Sequence, residues 1–420
     1  MPSLFQLVLQ IAVILVAARA VGFLFQKIHQ PQVMGEMVAG ILLGPSLLGW
    51  VAPGISAALF PPASLTYLNA LSQVGLVVFM FVVGLALNPA ELRAHGHAAV
   101  LTSHVSIAAP FCLGGLAALY LYPRLSEDTV TFTGFALFLG SAMSITAFPV
   151  LARILSERGL LHSRMGTLAI ACAAVDDITG WCILAYIVVL VRVTHAVRPA
   201  WITVAGSLVY VAVMLVVVRR CLPVLERAYR RHGKLSDNLV AVIVALVLVS
   251  ALATEWLGIH VLFGAFLMGA IMPKSPEFTR YLLHKFESVT VVLLLPLFFA
   301  FTGLRTRIGV GGDSTIWFYS AIVIVVAVAG KLGGSMLAAR LAGAPWRDAA
   351  SLGILMNTRG LMELVILNIG LDIGVISPAM FSIMVLMALV TTFMTTPLLE
   401  WVYPSRLLRA ESGETRQNVA

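Results

Sequence analysis

Charge is what this sequence has least of. Asp, Glu, Lys and Arg make up 11% of its 420 residues, against roughly 25% in a soluble protein. Hydrophobic residues make up 60%, too many to be hidden inside a water-soluble globule. Intrinsic disorder, a nucleic-acid-binding module and a secreted disulfide scaffold are excluded together. Cysteine is also sparse. Cys112, Cys172, Cys182 and Cys221 form no CxxC pair and lie in or beside apolar runs, which reads as packing rather than disulfide or metal ligation. No Walker A loop, dinucleotide glycine motif, zinc signature or nucleophile triad is present. Neither an enzyme nor an ATP-driven pump is expected, and no cofactor. The first residues carry no basic n-region and no small-residue cleavage site, so the opening apolar run is expected to remain as a helix.

What the chain does have is long apolar runs. A hydrocarbon core of about 30 Å needs about 20 apolar residues in helix. About thirteen stretches meet or approach that length: 4–25, 33–50, 65–86, 98–121, 133–154, 166–191, 200–219, 237–256, 258–272, 287–304, 314–340, 348–371 and 377–400. The expected fold class is an all-α polytopic membrane protein, with residues 1–403 as the transmembrane domain and 404–420 as a short polar tail. With the N-terminus outside, 19 of the 27 Lys and Arg residues fall in inner loops and five in outer loops. Arg19, Lys331 and Arg359 fall within spans. Basic loops are held on the cytoplasmic side, so this bias predicts N-out, C-in and an odd number of helices. It also accounts for the net charge of +8 without a nucleic-acid partner.

Short motifs recur at offsets of about 225, 219 and 212 residues. Ala39–Gly44 resembles Gly264–Gly269, Phe79–Leu85 resembles Phe298–Leu304, and helix-interrupting runs at Thr146–Pro149 and Thr358–Gly360 correspond. An odd number of helices between two copies inverts them, an arrangement found in many secondary transporters.

An ionisable residue within a span is costly and marks a functional site by default. Asp176 and Asp177 sit in the middle of the sixth run. Neighbours on a helix point about 100° apart, so both can border one cavity. Paired oxygen ligands suit a hard monovalent cation, and burial beside a second carboxylate raises an acid's affinity for protons. Lys331, flanked by Gly330, Gly333 and Gly334, is the expected ion-pair partner of one aspartate, Asp176 in the first place. Arg359 and Glu363 are spaced i, i+4 and can pair directly, either as a local salt bridge or with Arg359 bringing positive charge to an unwound point. Glu36, between Gly35 and Gly40, reads as structural. Pro149 has no N–H to donate and frees carbonyls a turn earlier; such irregular backbone at membrane depth lines a cavity or is buried.

Four runs taken together resemble the cation:proton antiporter-2 family. They are Gly40-Ile41-Leu42-Leu43-Gly44-Pro45-Ser46, Thr146-Ala147-Phe148-Pro149, Val175-Asp176-Asp177 and Asn357-Thr358-Arg359-Gly360-Leu361-Met362-Glu363, in that order within about residues 5–400. The resemblance implies thirteen helices in an inverted repeat, two discontinuous helices crossing at mid-membrane, and a homodimer in the plasma or inner membrane. A mobile core, approximately 65–191 and 287–400, would move against a dimerisation side. It implies exchange of Na⁺, K⁺ or Li⁺ for H⁺. Asp177 would hold cation and proton alternately, Asp176 would pair with Lys331, and Thr146, Ser144 and nearby backbone would complete the cation site. Arg359, Glu363, Thr358 and Pro149 would support the helix breaks. The rivals are a channel or uniporter, which would tolerate a neutral residue at Asp177, an organic-anion carrier, which an aspartate pair disfavours, and a sensor that binds without turnover.

Overall fold

The computed structural model describes residues 4–28, 30–86, 97–128, 130–147, 150–151, 154–155, 164–195, 200–232, 236–257, 260–307 and 314–403, a few of them, Asp177 included, by backbone alone. Among the described residues there is helix and no strand. The helices used below are Leu4–Lys27 (α1), Gln32–Leu43 (α2), Pro62–Ala86 (α3), His97–Leu125 (α4), Phe132–Ser144 (α5), Arg164–His195 (α6), Ala200–Val213 (α7), Asp237–Trp256 (α8), Val261–Ile271 (α9), Pro276–Val289 (α10), Leu295–Arg305 (α11), Ser314–Val328 (α12), Gly334–Leu341 (α13), Trp346–Met356 (α14), Leu361–Asp372 (α15) and Pro378–Val402 (α16). Nine helices among the described residues are long and apolar enough to cross a membrane, with shorter apolar ones at Phe132–Ser144, Thr179–Val191 and Val261–Ile271.

Helix starts follow their capping chemistry. Thr131, Ser236 and Ser377 each accept a bond from the backbone N–H three residues on, at 3.2, 3.3 and 3.2 Å, which satisfies one of the orphan donors of a first turn. Hydrophobicity alone places some ends too early or too late. The run expected at 287–304 belongs to a helix that already begins at Pro276, because the exposed polar turns around Glu277 and Arg280 are helical without being apolar. The run expected at 200–219 likewise belongs to a helix that continues to Arg231, because the basic turns of Pro223–His232 are helical without being apolar. Three π-helical turns interrupt the spans, at Met214–Val218, Thr290–Leu294 and Ala329–Gly333; the last carries Lys331.

The chain forms two compact units: Met1–Ala18, Ala52–Pro89 and Ala185–Phe301 make one, and Arg19–Val51, Ala90–Leu184 and Thr302–Ala420 the other. In the first unit α3 and α9 touch backbone to backbone. A Cβ on Gly84 would stand 2.1 Å from the Phe266 carbonyl oxygen, and one on Gly269 2.2 Å from that of Phe81. In the second unit Gly303 meets α2 in the same manner, its Cβ position 2.4 Å from the carbonyl carbon of Gly40. The recurring glycine motifs thus make equivalent contacts, Gly264–Gly269 with the Phe79–Leu85 copy and Ala39–Gly44 with the Phe298–Leu304 copy.

Candidate functional site

Two broken helices meet inside the second unit. α5 stops at Ser144, where Ile145 turns extended. α14 stops at Met356 and α15 starts only at Leu361. The frayed ends bond to each other: the Ala147 N–H donates to the Thr358 carbonyl at 3.0 Å, and the Thr146 hydroxyl lies 2.9 Å from the Met356 carbonyl. A helix end in an apolar setting must satisfy its orphan backbone groups somewhere. Here each break supplies partners to the other.

Arg359 supplies the rest. Its guanidinium is fully buried and donates to the carbonyls of Ala142 at 2.9 Å, Ile145 at 2.7 Å and Met143, all at the terminating end of α5. A planar fork with several donors suits converging carbonyls, and a cation suits the negative end of a helix. Glu363 Oε2 accepts from the same guanidinium at 3.1 Å, the i, i+4 pair expected. On α16, Thr392 pins the break by accepting from Arg359 N–H at 3.0 Å and donating to Arg359 O at 2.9 Å. The Thr358 hydroxyl donates to Thr395 at 3.4 Å.

Beside this crossing lies a second buried pair. Lys331 Nζ is 2.6 Å from Asp176 Oδ2, and both side chains have no exposure. The π-helical turn displaces Lys331 from regular register; such bulges occur often at functional sites. Its ammonium also donates to the carbonyls of Ser106, at 3.1 Å, and Ser144. Asp176 collects hydroxyls: Ser103 at 2.5 Å, Ser106 at 3.1 Å and Thr146 at 2.9 Å. An ammonium with three acceptors and a carboxylate with four donors meet the demand that a buried ion pair be fully hydrogen-bonded. The Thr146 hydroxyl has one proton and two acceptors at equal distance, Asp176 Oδ2 and Met356 O, so it couples the aspartate to the α14 break.

Several expected residues take other places. Ser144 turns its hydroxyl to the carbonyls of Gly140 at 2.6 Å and Ile107 at 3.0 Å; its carbonyl, not its side chain, faces Lys331. Glu36 is held by Gln32 at 3.1 Å, with Arg19 at 3.9 Å. Pro149 and the Asp177 side chain lie outside the described residues; the Asp177 backbone is within α6. Ser103, Ser106 and Thr392 were not singled out from the sequence. The first two are hydroxyls spaced i, i+3 in an apolar span, a pattern that joins helices in membranes.

Helices broken at mid-span around buried ionisable groups are the architecture of secondary transporters, and that is the class this integral, multi-pass membrane protein falls in. Residues 11–401 match the family model described as sodium/hydrogen exchanger, transmembrane, and the chain belongs to that family, whose members are ion transporters rather than enzymes. It is 44% identical over 404 residues to the Na(+)/H(+) antiporter NhaS4 of Synechocystis sp., covering 96% of this chain and 98% of that one. It is 39% identical over 398 residues to Cation/H(+) antiporter 17 of Arabidopsis thaliana, covering 94% of this chain and 48% of that protein. Among solved structures, the sodium proton antiporter MjNhaP1 of Methanocaldococcus jannaschii superposes with a TM-score of 0.63 over 96% of this chain and 98% of that one, at 14% identity, a likeness of fold.

Proposed function

We propose that the protein is a secondary active antiporter that exchanges a monovalent cation, Na⁺ or K⁺, for protons. The observation that carries this reading is the buried Lys331–Asp176 pair set against two crossed helix breaks. Asp176 is saturated by its four donors, which leaves the neighbouring Asp177 as the carboxylate that takes cation and proton in turn. Occupancy is competitive: a proton on Asp177 removes the charge a cation needs, and a bound cation excludes the proton. A loaded site is closer to neutral and can cross, whereas an empty, charged one meets the cost of moving charge through a low-dielectric layer. Thr146 and the carbonyls at the breaks complete the cation's oxygen shell, and Arg359 with Glu363 keeps the crossing in shape. If a bound cation draws Asp176 out of its bond to Lys331, the lysine releases a proton, two protons move per cation and transport is electrogenic.

Around that site we assign the mobile core to approximately 65–191 and 287–400, the dimerisation side to the remainder, and a homodimer to the assembly. The N-terminus is assigned outside, and the C-terminus with its tail 404–420 inside.

The test is proton flux in proteoliposomes loaded with a pH dye, with Na⁺, K⁺ and Li⁺ added in turn. Cation-evoked proton movement that Asp177→Asn abolishes is the expected result. Flux that survives Asp177→Asn without obligatory proton movement would turn the reading to a channel. Silence of wild type from pH 6 to 9 would sink antiport.

A further inference from the structure

The first unit carries a feature that the ion pair does not use. α3 contains no charged residue, yet its outer half holds Ser64, Asn69, Ser72 and Gln73. Asn69 Oδ1, Ser72 Oγ and Gln73 Oε1 are all buried atoms with no hydrogen-bond partner. Ser72 is 1% exposed. Residues spaced i, i+3 and i+4 share one helix face with Cβ atoms about 5–6 Å apart, so the three side chains, Ser72 buried and Asn69 and Gln73 part-buried, start from one strip of α3. α1 adds a fourth. Gln10 is wholly buried, its Nε2 donates to Leu59 O at 2.5 Å and Ser64 Oγ at 2.7 Å, and this fixes Oε1 as the free end, again without a partner. From Ser64 to Gln73 the column rises about 14 Å.

An unpaired oxygen within a membrane span costs several kcal/mol, and packing alone would be served better by leucine. Four such acceptors with no anion among them suit one ligand class. They can replace part of the hydration shell of a monovalent cation, as carbonyl oxygens do in ion-conducting filters. Because all are neutral, they hold the ion weakly enough to release it, where a carboxylate would trap it.

We propose that Asn69, Ser72 and Gln73, with Gln10 at the outer end, form a transit site for a partly dehydrated monovalent cation, separate from the carboxylates at the crossing. The inference rests on the cation-exchange reading above. The experiment compares wild type with Asn69→Leu, Ser72→Ala, Gln73→Leu and Gln73→Glu in the same proteoliposomes over a series of Na⁺ and K⁺ concentrations. Loss of one oxygen ligand, of about the net worth of a hydrogen bond, should raise the half-saturating cation concentration about fivefold, with the maximal rate within about twofold. Gln73→Glu should lower that concentration and make it steeper in pH. A merely structural strip behaves otherwise: replacing an orphan acceptor with an apolar group of similar shape is neutral or stabilising, so an unchanged or raised melting temperature with unchanged cation dependence in Asn69→Leu, Ser72→Ala and Gln73→Leu overturns the site. A second readout needs no turnover. Added NaCl or KCl should raise the wild-type melting temperature, and loss of part of that rise in Gln73→Leu supports the site, whereas an identical rise overturns it. Silent wild-type vesicles would count against antiport, while active vesicles with indifferent variants would count against the transit site alone.

Discussion

At the scale of single residues, Asp176 and Lys331 depend on each other. Removing one partner of a buried pair leaves an uncompensated charge and costs about 3–5 kcal/mol, whereas removing both is often nearly neutral. Lys331→Met and Asp176→Asn should each lower the melting temperature in detergent markedly, and the double variant should recover most of the loss. A double variant that melts as low as the sum of the singles would show that the pair is not a unit. The three hydroxyls on Asp176 soften the Lys331→Met penalty, but because that pair is wholly buried the loss should still exceed the one at a partly exposed pair such as Arg305–Asp372, 2.9 Å apart with 24% and 30% exposure; exposed pairs are worth about 0–1 kcal/mol.

At the scale of elements, helix ends are tied by side chains from elsewhere. Lys274, in the connection between α9 and α10, donates to the carbonyls of Gly84 at 3.0 Å and Leu85 at 2.8 Å, at the end of α3, and to Gly269 at 3.2 Å, at the end of α9. It is a clasp over two helix C-termini, where a cation is favourable. Burial pushes its ammonium from 10.5 down to about 8. The sign of the consequence follows from proton counting: between about 8 and 10.5 the unfolded chain binds the proton and the folded chain does not, so stability rises with pH across that window and is lost as pH falls through 8. Melting temperature measured from pH 7 to 10.5 should climb in wild type more than in Lys274→Met. Equal slopes would refute the assignment. The α5 and α14 breaks follow the same logic, with Arg359 as the clasp.

At the scale of the whole molecule, the uneven distribution of Lys and Arg sets the proposed direction of insertion. Arg124 stands at the end of α4 in a loop assigned outside, and Arg230 on the basic helix Pro223–His232 in one assigned inside. In a background freed of Cys112, Cys182 and Cys221, a membrane-impermeant thiol reagent applied to intact cells should label Arg124→Cys and spare Arg230→Cys until the membrane is opened. The reverse pattern would invert the topology.

The sequence by itself determined the class of molecule. Sixty per cent hydrophobic residues in runs of about 20 leave no alternative to a bilayer, and Asp176, Lys331, Arg359 and Glu363 are legible as charges that must be paired, as they are in the structure, because charge within such runs is too costly to be left alone. The Arg359–Glu363 pair was legible too, since i, i+4 spacing is local. Tertiary structure alone decided everything that joins distant segments. No local rule brings Ser103 and Ser106 onto Asp176, turns the Ser144 hydroxyl away from Lys331, or sends Arg359 to the carbonyls of α5, more than 200 residues earlier in the chain. Those outcomes depend on which orphan backbone groups meet when two broken helices are packed in a medium without water, and that is a property of the fold, where unsatisfied carbonyls from one segment select their donors from another.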